Sequence, residues 1–172
     1  EAEFLINVMK SMKKNKTYSV GLILCSLCAF AQGQMVTKGV LSVAPNTLLS
    51  VVSDFRNTNT GVYKNDGEVL FRGNFTNNGT FSHSQISNGY TRFEGLENQK
   101  MSGTSDAVFN DVLLYNLSEQ PAFQLEGKVV ISGEMDFNQG IIDSDNFGGS
   151  MIFNQNAEII NKVFSTGFFN HS

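Results

Sequence analysis

Glycine returns every six residues in one part of this chain, at Gly61, Gly67, Gly73 and Gly79, and the spacing recurs at Gly89/Gly95 and Gly127/Gly133. Between these glycines, apolar and polar residues alternate with the period of two that marks a half-buried β-strand. Val69, Phe71, Gly73 and Phe75 fall on one face, with Glu68, Arg72, Asn74 and Thr76 opposite. The longest such run is Phe123, Leu125, Gly127, Val129, Ile131, Gly133, Met135 and Phe137, whose polar face is broken only by Val130. A third stretch puts Phe109, Leu113, Tyr115 and Leu117 on one side, with Asp111 as its exception. The segment Pro45 to Phe55 is β-branched and serine-rich, and reads as a strand over Leu48 to Val52. An all-β chain is expected.

Turn residues narrow the architecture. The phrase Asn65-Asp66-Gly67-Glu68-Val69 is echoed further on by Asn77-Asn78-Gly79-Thr80-Phe81. Asp-Gly and Asn-Gly supply positive φ, so both are expected to be tight turns. Asn is dense from Gln32 onward, and it is a residue that stacks in ladders when identical positions repeat along an axis. A short self-similar period with stacked Asn points to a right-handed parallel β-helix, with a β-sandwich as the alternative. The rhythm drifts after Gly103.

The N-terminus reads as an address. Lys10, Lys13, Lys14 and Lys16 precede a short apolar run from Val20 to Ala31, which ends in Ala29-Phe30-Ala31 before Gln32. A basic region, a short apolar region and a small-x-small site make a helical secretory signal cleaved between Ala31 and Gln32. The run falls short of the ~20 apolar residues of a membrane span. The expected organisation is an upstream extension plus signal over 1–31 and a β-rich passenger over 32–172. That passenger is expected to be exported through the inner membrane to the outer surface or beyond, without membrane insertion after cleavage.

Removing the signal changes the chemistry available. Cys25 and Cys28 both lie inside it, each preceded by leucine, so neither fits a lipidation site, and the passenger has no cysteine. Its stability must come from packing and hydrogen bonds. The whole chain carries 12 Lys+Arg and 16 Asp+Glu; without the four lysines and two glutamates of 1–31, 8 and 14 remain, a net charge of −6. Such a balance excludes a nucleic-acid partner of the usual electrostatic kind.

Catalytic signatures are sparse. The sequence contains no phosphate-binding glycine loop and no G-x-S-x-G nucleophile elbow. His83 sits in a Ser-His-Ser turn and His171 is penultimate. Glu134 and Asp136 are two apart on a strand, so they project from one face ~7 Å apart. An inverting glycosidase pair wants about 6.5–9.5 Å. A solvated outer face next to Lys128 fits the whole alternation and is the preferred reading, and no aromatic residue flanks them on the same face. Asp143 and Asp145 offer two hard ligands for Ca2+ but fail the EF-hand pattern, because Phe147 stands where an oxygen ligand is needed and Asn154 where an acid is. A plain Asp/Asn/Gly turn is the preferred reading. The sequons at Asn74, Asn78, Asn116 and Asn170 read as chance in an Asn-rich chain. No cofactor is expected, and the chain is expected not to be an enzyme.

The stretches Gly61–Gly67, Phe75–Phe81, Phe93–Gly95 with Gln99–Gly103, Phe109–Asn116 and Val129–Gly140 resemble the opening of large cell-surface and secreted proteins of gliding and biofilm-forming Bacteroidetes. The resemblance covers roughly Val36 to Ser172. It implies a β-rich passenger behind a signal peptide, exported by the type IX system through a separate C-terminal sorting domain. The apolar, uncapped run Phe164 to Phe169 adds the expectation that further domains follow. The expected function is that of a non-catalytic stalk, adhesin or matrix β-solenoid. The alternative is a module that binds or degrades extracellular polysaccharide. Its partner would be an extracellular glycan or a cell-surface protein.

Overall fold

The computed structural model describes residues 33–84 and 89–160. They form eighteen short strands that wind through six coils of three strands each. Coil 1 holds β1 (Met35–Thr37), β2 (Val40–Val43) and β3 (Leu48–Val51). Coil 2 holds β4 (Phe55–Asn57), β5 (Val62–Asn65) and β6 (Glu68–Phe71). Coil 3 follows with β7 (Phe75–Asn77), β8 (Thr80–Ser82) and β9 (Tyr90–Phe93). Coil 4 is β10 (Gln99–Ser102), β11 (Ala107–Phe109) and β12 (Asp111–Tyr115). In coil 5 come β13 (Phe123–Leu125), β14 (Lys128–Ile131) and β15 (Glu134–Gln139), and in coil 6 β16 (Ile142–Asp143), β17 (Ser150–Phe153) and β18 (Glu158–Ile160).

Every third strand joins the same sheet. Sheet A runs β1-β4-β7-β10-β13-β16, sheet B runs β2-β5-β8-β11-β14-β17, and sheet C runs β3-β6-β9-β12-β15-β18. All pairings among these strands are parallel. A β-sandwich would need antiparallel hairpins, so the parallel β-helix is the fold and the alternative is set aside.

The six-residue glycine rhythm is one side of this three-sided coil, a short strand plus its corner. Three such sides make the shortest circuit, which carries Tyr63 onto its stacked partner Phe81. Corner insertions lengthen other circuits, including the one that carries Phe81 onto Ala107. That variation is why the rhythm fades in the sequence after Gly103. The strand expected over Leu48 to Val52 is β3, one residue shorter.

Two expectations need correction. Gly67 and Gly79 do not adopt positive φ; among the described glycines only Gly103, Gly140 and Gly148 do, together with Asn46 at φ 61°. Glycine is needed at the earlier corners because the previous coil lies so close. A Cβ on Gly67 would sit 2.7 Å from the Thr47 carbonyl oxygen, and one on Gly79 would collide with that of Thr58. The second correction concerns Phe109 to Leu117. Phe109 points inward, but the chain turns at Asn110 without a spacer glycine, which shifts the alternation by one. Val112 and Leu114 are therefore buried, while Tyr115 and Leu117 face solvent.

The interior is a set of like-on-like stacks along the axis. Phe55 stacks on Phe75, Tyr63 on Phe81 and Phe71 on Phe93, with ring centroids 5.6, 4.7 and 5.4 Å apart. Edge-to-face contacts knit these columns across the interior, as between Phe75 and Phe81 or Phe93. Corners carry buried amides in place of rings. Asn57 Nδ2 donates to Asn77 Oδ1 at 2.9 Å, and Asn77 Nδ2 donates to the Asp106 carbonyl at 2.9 Å. Asn65 Nδ2 donates to the Tyr90 carbonyl and Gln99 Nε2 to the Gly73 carbonyl. Buried amides are tolerated because they satisfy backbone groups that the corners would otherwise orphan.

Candidate functional site

The sheet C exterior gathers the chemistry that the sequence singled out. Alternation turns Glu134 and Asp136 outward, while Met135 between them is buried. Glu134 pairs in register with Glu158 and follows Asp111, whose Oδ1 accepts the Glu134 N–H at 2.8 Å. Asp136 lies in register between Leu113 and Ile160. The two carboxylates thus sit on an open sheet face with neighbours of different kinds. Lys128 is not beside them; it lies on sheet B, 2.5 Å from Asp106.

Coil register also brings rings to this face, which inspection of a single strand misses. Tyr90 pairs with Glu68 on one side and Asp111 on the other. Its hydroxyl pKa is raised, first by burial and then by Asp136, Glu68 and Glu94, against a lowering by Arg92. Tyr115, one strand on, is exposed. Arg92 is clamped by Glu68 at 3.0 Å and by Glu94. Those bonds raise its pKa, with Glu68 the largest cause. Leu70, in register with Arg92, is buried although it does not belong to the core.

The other candidates have local roles. Asp143 Oδ1 accepts the Asn146 N–H at 3.1 Å, and its Oδ2 accepts Asn146 Nδ2 at 2.7 Å. These bonds hold the Asp143 carboxyl below its ordinary pKa. They close a local turn, with the Asp143 side chain bonding nearby backbone and amide groups in place of a ligand. Asp145 is exposed next to Ser144. Among the described residues no three His, Cys, Asp or Glu side chains group as a metal site. His83 Nδ1 lies 2.8 Å from the Ser84 carbonyl. Asn116 is fully buried, with its amide donating to the Glu97 carbonyl, so the folded chain does not present this sequon. Ala29, Ala31, Gln32 and His171 lie outside the described residues, as does the run from Phe164 to Phe169. Among the described residues no helix is long and apolar enough to cross a membrane.

Outward charges elsewhere are joined between coils. Lys100 reaches Glu126 at 2.7 Å, and Lys128 reaches Asp106 across the register that pairs Ala107 with Val129. Lys64 and Asp66, at 3.1 Å, pair within one coil. Comparison with family models, with curated proteins and with solved structures finds no match for this chain.

Proposed function

We propose that this chain is a non-catalytic, exported structural module, a stalk, adhesin or matrix element held at the cell surface or released from it. The observation that carries the reading is the pairing of surface charge along the axis. Arg92 with Glu68, Lys100 with Glu126 and Lys128 with Asp106 each tie one coil to the next. Charges so arranged reinforce a rod, whereas a hydrolase needs carboxylates converging on a substrate. The signal-like N-terminus and the resemblance to Bacteroidetes surface proteins support the same reading. Cell fractionation with N-terminal sequencing tests it. The passenger should begin at Gln32 and be found outside the inner membrane; recovery in the cytoplasm alone would overturn the proposal.

A second reading is favoured by one specific arrangement. Tyr90, Tyr115, Glu134 and Asp136 share the sheet C exterior, and rings beside carboxylates are what a polysaccharide-binding face uses. A glycan array decides this. Retention of a polysaccharide by the parent, lost in Glu134→Gln or Tyr90→Ala, would favour a glycan module; no retention would leave the structural one.

A further inference from the structure

The corner between sheet C and sheet A grows after coil 3. Phe71 pairs with Phe93 before the corner and Phe75 with Met101 just past it, and the second pair is separated by more of the chain. The next circuit repeats this. Gln99 and Phe123, past the corner, are further apart in sequence than Phe93 and Leu114 before it. The extra residues form two loops, 94–98 and 116–122.

Side-chain amides brace both loops. Asn98 Nδ2 donates to the carbonyls of Glu119 and Pro121, each at 2.6 Å. Asn116 Nδ2 donates to the Glu97 carbonyl at 2.8 Å, while its Oδ1 accepts the Ser118 N–H. Gln120 Oε1 takes the N–H groups of Ala122 and Ile141, so the second loop is also tied to coil 6.

These braces hold two leucines in water. Leu96 is 86% exposed and Leu117 69%, each shortly beyond the stacked pair Phe93 and Leu114. Neither joins the core, so folding of the solenoid does not account for them. Tyr115 and Ile141, at 41% and 37%, extend the apolar surface at the same corner. Its rim is acidic. Glu97 and Glu119 are exposed, while Arg92, Lys100 and Lys128, the cations nearest them in sequence, are already held by Glu68, Glu94, Glu126 and Asp106.

We propose that this corner docks an extended protein segment whose apolar side chains seat on Leu96 and Leu117 while flanking Lys or Arg meet Glu97 and Glu119. Charge complementarity selects that occupant over a second copy of this acidic chain, which would bring like charge to the rim. The braces matter because a surface that is ordered beforehand loses less entropy on binding. Tyr115 borders both this corner and the glycan face, but the inference rests on Leu96 and Leu117, which the glycan reading does not use, and it does not depend on export.

The test is fluorescence anisotropy of the full chain with two synthetic peptides of equal charge, one alternating leucine and lysine, the other serine and lysine. The parent should bind the leucine peptide about tenfold more tightly, the scale of a modest apolar hot spot. The double variant Leu96→Ser/Leu117→Ser should lose that preference while keeping its circular dichroism and melting temperature. Glu97→Gln/Glu119→Gln should weaken both peptides together and flatten the salt dependence. Equal binding of the two peptides by the parent, or a preference that survives in the leucine variant, would overturn the proposal. So would a parent dimer or a glycan interaction lost in the leucine variant, since either gives the surface to another occupant.

Discussion

Coils 2 to 4 and coils 5 to 6 share a backbone plan but are filled differently. Among the described residues every ring pair lies between Phe55 and Phe109. Coil 5 is packed mainly with aliphatic residues, Leu125, Val129, Ile131 and Met135, beside the rings of Phe123 and the partly buried Phe137. In coil 6 the inward Ile142, Met151 and Phe153 are only partly buried. The contrast teaches that the parallel register does not depend on aromatic stacking. The rings add cohesion where they are dense, and the C-terminal coils rely on fewer buried atoms.

The largest effect should come from the ring that joins the most columns. Phe75 contacts Phe55, Phe71, Phe81, Phe93 and Phe109. Phe75→Ala should cost about 3–5 kcal/mol in chemical denaturation. Met151→Ala in coil 6, already partly exposed, should cost about 1 kcal/mol, roughly half the transfer value of a fully buried side chain. Equal losses would break the comparison.

Asn77→Ala should come next, at about 1–3 kcal/mol, because it orphans the Asp106 carbonyl and strips Asn57 Nδ2 of one acceptor. A smaller loss in denaturant titrations would mean that the ladder is dispensable beside the rings.

Tyr63→Phe should go the other way. The ring is fully buried against Phe81, and its hydroxyl has no hydrogen-bond partner among the described residues. Removing the hydroxyl should be neutral or stabilising by up to about 1 kcal/mol. Burial raises the Tyr63 pKa above its ordinary 10.0. The folded chain therefore keeps a proton that the unfolded chain releases, and stability present below pH 10.0 is lost as pH rises toward the folded value. Part of the alkaline loss in the parent should vanish in Tyr63→Phe, as read from melting temperatures across that range.

The smallest effect belongs to the sheet C exterior. Arg92 is about one-third exposed, so Arg92→Ala should cost no more than ~1 kcal/mol, diminishing as salt is added. A loss as large as that of Phe75→Ala would move the centre of stability from the interior to the surface.

Much of this fold is legible in the sequence because two periods are written there. Alternation at Val69, Phe71 and Phe75, and from Phe123 to Phe137, marks the inward residues, and six-residue glycines mark the sides of the coil. Leu113, Tyr115 and Leu117 escape a strict alternation because the corner at Asn110 shifts the phase without a glycine to announce it. Gly67 and Gly79 look like positive-φ turns because a sequence does not display the neighbouring coil that excludes a Cβ. The same blindness hides Tyr90 from Glu134. They are far apart along the chain, and only the registers through Asp111 bring them to one face. Leu96 and Leu117 give no signal either, since single leucines in loops are ordinary until the coils stack.

Residue-resolved hydrogen exchange in the native state tests the account most directly, because it reads the stability of each coil separately. Amides of the ring-filled strands, β4 to β9 with β11, should exchange slowest and through global unfolding. Those of β16 to β18 should open first. Uniform protection across the six coils, or slowest exchange in coil 6, would contradict it.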